Sequence, residues 1–113
     1  MAEWVRVDHK NDKGVTTYIN FFTIQKSKDT VKIWIVSDYK KAQELPYLPL
    51  YMSIKRQNEF NCKKEQMKKL YASYHVKNMG EGKIIFSDKS PDNWSTVSPN
   101  TIDRKLWKFA CEK

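Results

Sequence analysis

Histidine and cysteine are the residue types best suited to act as general base, reactive nucleophile or metal ligand, and this chain contains two of each. A catalytic triad needs a base beside a nucleophile and a third group that orients the base, and neither His9 nor His75 lies in such a motif. A zinc site needs four ligands, or three and a water, and Cys62 and Cys111 are too dispersed to predict one. We therefore expect no catalytic residue, no metal, no cofactor and no enzymatic activity. A pocket that places His75 beside a carboxylate would reverse this expectation.

The two cysteines also bear on the cellular compartment. Cys62 and Cys111 match no zinc or redox spacing, which favours a disulfide in an oxidising compartment over two buried free thiols. The sequence opens without a signal peptide, so we expect either a cytosolic protein or one whose signal has been removed. No run of about 20 apolar residues is present that could span a membrane.

The net charge of +8, from 21 basic and 13 acidic residues, indicates attraction to polyanions or acidic proteins. The alternative is that the scattered lysines serve solubility alone. Only Arg6, Arg56 and Arg104 among the basic residues are arginine. Because the planar fork of arginine is the usual reader of phosphates and base edges, this balance argues against a sequence-reading nucleic-acid protein.

The final stretch of the chain predicts a long helix. Asn100 is the predicted N-cap, with Asp103 three residues later and Pro99 at a position that a helix start tolerates. The apolar residues that follow recur at helical spacing and form one stripe, made of Ile102, Leu106, Phe109 and Ala110.

Alternation of apolar and polar residues, β-branched composition and flanking turn signals predict strands at 4–8, 15–22, 31–36, 51–60, 63–76 and 83–87. The interval 63–76 begins with helix-forming residues, but its alternation from Leu70 to Val76 favours a strand. At 113 residues, the chain has the length of one domain, spanning 1–113. The predicted fold class is α+β, with about six antiparallel strands and a C-terminal helix packed on the sheet.

The connection between the third and fourth strands, residues 38–50, is the main irregular segment. Pro46 and Pro49 have the spacing of a polyproline-type ligand. We favour instead an apolar loop that covers one end of the sheet. Lys40 and Lys41 form the second densest basic group of the chain.

The densest basic group consists of Lys63, Lys64, Lys68 and Lys69. If 63–76 is a strand, Lys63, Lys69 and Tyr71 point to one side and form a basic and aromatic strip of the kind that polyanions favour. The four lysines together with Tyr71 are the candidate binding site. The alternative is a solvated strand face whose lysines discourage edge-to-edge aggregation.

A series of short motifs runs in a fixed order through nearly the whole chain. In order they are Trp4-Val5, Tyr18-Ile19, Val31-Lys-Ile-Trp34, Asp38-Tyr39, Tyr51-Met-Ser-Ile-Lys55, Cys62, Met79-Gly-Glu-Gly-Lys83, Trp94-Ser-Thr-Val-Ser-Pro99 and the terminal Leu-Trp-Lys-Phe-Ala-Cys111. Together they resemble the surface-adhesin protein E family of Gram-negative bacteria. The resemblance implies a six-stranded antiparallel sheet with a C-terminal helix held by a structural disulfide, Cys62–Cys111.

The same resemblance implies an exported protein, periplasmic or associated with the outer membrane, that can form homodimers. The best-known members of that family act as adhesins for host matrix proteins such as vitronectin and laminin. We therefore predict a non-enzymatic exported or surface binding protein with an extracellular-matrix or other protein ligand. Membrane contact is expected only through a lipid anchor, and no cysteine precedes Trp4 to carry one. The alternative is a periplasmic or cytosolic module that binds a polyanion such as heparin or nucleic acid.

Overall fold

The computed structural model describes residues 4–7 and 14–112. These residues form an antiparallel sheet with one α-helix packed on it. Its elements are β1 (Trp4–Arg6), β2 (Val15–Lys26), β3 (Thr30–Gln43), β4 (Tyr51–Asn61), β5 (Gln66–His75), β6 (Ile84–Asp88), β7 (Ser95–Thr96) and α1 (Ile102–Cys111). The first six strands lie in the order β1-β2-β3-β4-β5-β6, and β7 pairs with β5. The predicted α+β class is confirmed.

The strands differ from the prediction mainly in length. The ambiguous interval 63–76 contains the strand β5, as the alternation indicated. β2 and β3 run well past their predicted ends at 22 and 36, because register shifts interrupt the pairing without ending either strand. β7 was not predicted, because no strand was assigned between residue 87 and the C-terminal helix. The predicted strand 4–8 ends at a residue outside the described part of the chain.

Alternation along β3 gives the sheet two distinct faces. Ile33 and Ile35 are fully buried beneath α1, and the intervening Trp34 points to the opposite side. We call the side that carries α1 the covered face and the other side the open face. The buried core of the covered face consists of Val7, Ile19, Val31, Ile33, Ile35, Phe60, Leu106 and Ala110.

The helix begins one residue later than predicted. Thr101 is the N-cap: its backbone is extended, and its hydroxyl oxygen accepts a hydrogen bond of 3.1 Å from the Arg104 N–H. The predicted cap, Asn100, instead takes a left-handed conformation with φ of 62°, which asparagine tolerates better than most residues. The apolar stripe is also narrower than predicted, because Ile102 is 39% exposed.

Three side chains of α1 attach it to the turn between β4 and β5, residues 61–65. Cys111 forms a disulfide with Cys62, with the two Cα atoms 5.6 Å apart. Trp107 donates a hydrogen bond of 3.0 Å from its indole to the Asn61 carbonyl. Arg104 forms an ion pair with Glu65 in the same turn. The disulfide that the family resemblance implied is therefore present, and it is one part of a larger attachment.

We expect the double substitution of Cys62→Ser and Cys111→Ser to lower the free energy of unfolding by about 4 kcal/mol, because the bridge closes a loop of 49 residues. Urea unfolding of the oxidised protein and of the variant measures this difference. Reductant should lower the stability of the parent protein by a similar amount and leave the variant unchanged. Two alkylated thiols in the unreduced parent protein would contradict the disulfide itself.

Candidate functional site

Lys63 and Lys64 lie side by side and exposed in the turn between β4 and β5. The Asn61 side-chain oxygen accepts hydrogen bonds from both of their backbone N–H groups, at 3.1 and 2.9 Å. This local side-chain cap fixes the turn and directs its two lysines to solvent. Their positions are thus set by the backbone, and their ammonium groups are accessible to a ligand.

Lys69 lies on the covered face, where acidic side chains neutralise it. Its ammonium is 2.7 Å from Asp88 and 3.7 Å from Asp92. The hydrogen bond to Asp88 raises the pKa of Lys69, and the same hydrogen bond lowers the pKa of Asp88. A polyanion would have to displace these carboxylates, so Lys69 is poorly placed to bind one.

Lys68 points to the open face, where it contacts an aromatic ring and a carboxylate. Its ammonium lies 4.5 Å from the centre of the Trp94 ring and 3.8 Å from a carboxylate oxygen of Glu59.

A bulge in β5 separates residues that the sequence grouped together. Lys69 pairs with Asn58 and Tyr71 pairs with Gln57, so Leu70 is the extra residue. Because Gln57 and Asn58 are consecutive on β4, their partners point to opposite faces. Lys69 and Tyr71 therefore point to opposite faces, so the prediction that Lys63, Lys69 and Tyr71 form one strip is wrong. The binding role of each of these residues stays a prediction.

Tyr71 instead belongs to an aromatic group on the open face that the sequence did not reveal. Its ring packs edge-on against Trp34 with a centroid distance of 5.7 Å and an angle of 74° between the planes. The Lys55 ammonium lies 5.3 Å from the centre of the Trp34 ring. We call Trp34, Lys55 and Tyr71 the open-face cluster. They come from three neighbouring strands, so recognising them requires the strand register.

The connection between β5 and β6 folds back over one end of the open face. The Ser53 hydroxyl donates to the Lys77 carbonyl at 2.6 Å and accepts from the Gly80 N–H at 2.8 Å. Asp38 accepts a hydrogen bond of 2.7 Å from the Met79 N–H. These contacts cover the region around Ser53, which is fully buried, whereas the three members of the open-face cluster are only partly buried.

His75 and Ser73 form a buried pair beneath this connection. The distance between the Ser73 hydroxyl and His75 Nε2 is 2.7 Å, and the side chains of both residues are almost completely inaccessible. His75 Nδ1 faces the Gly82 carbonyl at 3.4 Å. Since that partner is a carbonyl, the pair lacks the orienting carboxylate of a triad, and burial keeps substrate from the serine. His9 lies outside the described residues.

Metal ligands do not converge within the described ranges 4–7 and 14–112, where no group of three or more histidine, cysteine or acidic side chains could hold an ion. In the same part of the chain no helix has the length and hydropathy needed to cross a bilayer.

The connection between β3 and β4, residues 44–50, forms a tip that carries no charge from Leu45 to Leu50, and we call it the apolar tip. The Leu48 N–H donates to the Leu45 carbonyl at 3.2 Å, with Pro46 and Tyr47 in the centre of the turn. Tyr47 has φ of 66°, in the third position of the turn, where glycine is favoured; a larger residue there costs about 1–3 kcal/mol.

The apolar tip corrects two expectations for this segment. Tyr47 is 104% exposed and Leu50 is 55% exposed, so these two side chains project into solvent and do not cover the sheet. The left-handed backbone at Tyr47 also differs from a polyproline helix, in which every φ is near −75°. The pairing between Gln43 and Tyr51 explains why the tip projects. It continues the β3–β4 pairing beyond the last pairs that these strands form with β2 and β5.

The fold defines a class of small α+β domain in which a disulfide fixes a terminal helix on one face of an antiparallel sheet. Such bridges form and persist in oxidising compartments. Residues 4–112 match the sequence pattern of the family described as surface-adhesin protein E, and the chain belongs to that family. Membership implies a surface adhesin with an exported or surface location. No match is found among curated proteins.

Solved structures of protein E from Haemophilus influenzae share the fold. Crystal form II has 14% sequence identity and a TM-score of 0.72, over 98% of this chain and 97% of that chain. The selenomethionine form has 14% identity and a TM-score of 0.70, over 93% and 91%. The protein from a non-typeable strain has 14% identity and a TM-score of 0.68, over 99% and 86%. At this identity the likeness establishes the fold alone.

We expect the fold to lose stability as the pH falls, through His75. Burial lowers the pKa of His75 in the folded protein, and the Gly82 carbonyl only partly opposes this effect. Because the unfolded chain has the higher pKa, near 6.5, protons favour the unfolded state below about that pH. The free energy of unfolding should therefore be lower at pH 5.5 than at pH 7.5. His75→Gln should reduce this difference, and His9→Gln is the control; equal pH dependence in the parent protein and His75→Gln would exclude His75 as the cause.

Proposed function

We propose that this protein is an exported adhesin that binds a host matrix protein through its open face. The observation that carries the proposal is the open-face cluster, in which Trp34, Lys55 and Tyr71 lie partly exposed on the side of the sheet that α1 leaves uncovered. Aromatic side chains dominate the energetic centres of protein interfaces. Membership of the adhesin family supports a binding function for this surface.

The cluster is organised in a way that suits binding. The edge-on contact between Trp34 and Tyr71 holds both rings, so little side-chain entropy remains to be lost when a ligand arrives. Lys55 supplies a cation beside the exposed part of the rings. The net charge of +8 would accelerate the approach of an acidic ligand, with the rings supplying the short-range contacts.

A second candidate function, polyanion binding, is supported by Lys63 and Lys64. Both side chains are exposed, and the Asn61 cap holds their backbone in place. The neighbouring Glu65 forms an ion pair with Arg104, so its charge is directed to the helix and does not cancel the lysines. A sulfated glycan or another polyanion would find two adjacent cations here.

We expect Trp34→Ala and Tyr71→Ala each to weaken binding to immobilised vitronectin or laminin by about tenfold or more, because truncation at an interface centre commonly has effects of this size. Biolayer interferometry measures the affinity, and thermal unfolding checks that each variant is folded. Lys105→Ala, which removes an exposed side chain of α1, is the matched control. Unchanged affinity in both aromatic variants would contradict the role of the open face, and absence of binding to either matrix protein would contradict the choice of ligand.

We expect the double substitution of Lys63→Ala and Lys64→Ala to lower the salt concentration at which the protein elutes from a heparin column. Lysine contacts to a polyanion release counterions, so each lost contact weakens binding and reduces its dependence on salt. Replacement of both Lys105 and Lys108, two exposed lysines of α1, by alanine is the charge-matched control. If the two double variants elute together, the turn between β4 and β5 has no special role in polyanion binding.

A further inference from the structure

Tyr47 occupies a backbone position that favours glycine, yet its side chain is completely exposed. Its φ of 66° is strained for a tyrosine, and the ring projects into solvent from the apolar tip. Local strain of this kind is commonly found where a side chain is held for a function. Leu50, also exposed, adds a second apolar side chain at the same tip, and no charged residue lies between Leu45 and Leu50.

Exposed lysines surround the base of the tip. Lys40 and Lys41 precede it on β3. The connection between β5 and β6 adds Lys77 and Lys83 at the same end of the sheet, because it is hydrogen-bonded to Asp38 and Ser53. Among the described residues of this region, the exposed acidic ones are Glu44 and Glu81. The described surroundings of the tip therefore carry more positive than negative charge.

We infer that the apolar tip, residues 44–50, docks on bilayers that contain anionic phospholipid. Tyr47 and Leu50 enter the headgroup region, and the lysines at the base of the tip contact lipid phosphates. Tyrosine is suited to this boundary because its ring is apolar and its hydroxyl can stay among polar headgroups. The lysines would be drawn to the negative surface potential of the bilayer.

The shape of the tip favours a bilayer over a protein partner. A projecting turn with two exposed apolar side chains needs a matching pocket on a protein, whereas the headgroup region of a bilayer deforms around it. Two apolar side chains alone give only weak insertion, and a combination of apolar and electrostatic contacts is the usual requirement for stable attachment. The tip therefore provides a direct membrane contact, whereas the sequence led us to expect membrane contact only through a lipid anchor.

Co-sedimentation with vesicles tests this inference. The protein should sediment with vesicles of phosphatidylcholine and phosphatidylglycerol at low salt, and much less with phosphatidylcholine alone or at high salt. Tyr47→Gly should weaken this binding by about tenfold while it leaves the stability unchanged or raises it, since glycine relieves the strained φ. The double substitution of Lys40→Ala and Lys41→Ala should weaken it by about fivefold per lysine.

Two controls separate the tip from other surfaces. Phe22→Ser removes an exposed aromatic side chain near the other end of the β2–β3 pairing and should bind vesicles like the parent protein. Trp34→Ala should also retain vesicle binding, because Trp34 lies outside the apolar tip. The membrane inference can therefore hold even if the open face binds no matrix protein. The inference is overturned if the parent protein does not sediment with the anionic vesicles, or if Tyr47→Gly binds them as well as the parent. It is likewise overturned if Tyr47→Gly loses only matrix-protein binding.

Discussion

The attachment of α1 to the turn between β4 and β5 is the constraint on which the rest of the structure depends. A helix of ten residues is too short to be stable by itself in water, so its order comes from packing and from the disulfide between Cys62 and Cys111. Leu106 and Ala110 are fully buried against the sheet as a result. The helix covers one face of the sheet, and the rings of Trp34 and Tyr71 lie on the face that it leaves open.

A buried charge on the covered face makes the position of the helix specific. Arg56 lies on this face and donates a hydrogen bond of 3.0 Å to the Ser37 hydroxyl. Burial lowers the pKa of Arg56, and the negative charge of Asp103 in the first turn of α1 opposes that shift. A different placement of the helix would remove this compensation from a buried guanidinium, which is costly. The apolar core holds the helix on the sheet, and the charges favour one placement of it.

Local patterns predicted the elements of this fold better than they predicted its surfaces. Alternation located the central strands and resolved 63–76 as a strand, because half-buried strands show this period directly. The open-face cluster depends on the bulge at Leu70, and a single inserted residue reverses the direction of every side chain that follows. The conformation of Tyr47 was equally hidden, since nothing in the residue type signals a left-handed backbone. Helix caps were ambiguous for a simpler reason: Asn100 and Thr101 are adjacent and both suit the role.

The strand β3 connects the two surfaces that we assign to binding. Trp34 lies in its first half, and the apolar tip follows its last residue, Gln43. Nine residues of extended chain span roughly 30 Å, so a ligand on the open-face cluster and a bilayer at the tip would be separated by about the length of the domain. The two contacts need not compete for space. A protein held at a membrane by its tip would therefore keep its open face available to a matrix ligand, and the rigidity of the paired strand would hold that face at a fixed distance from the lipid surface.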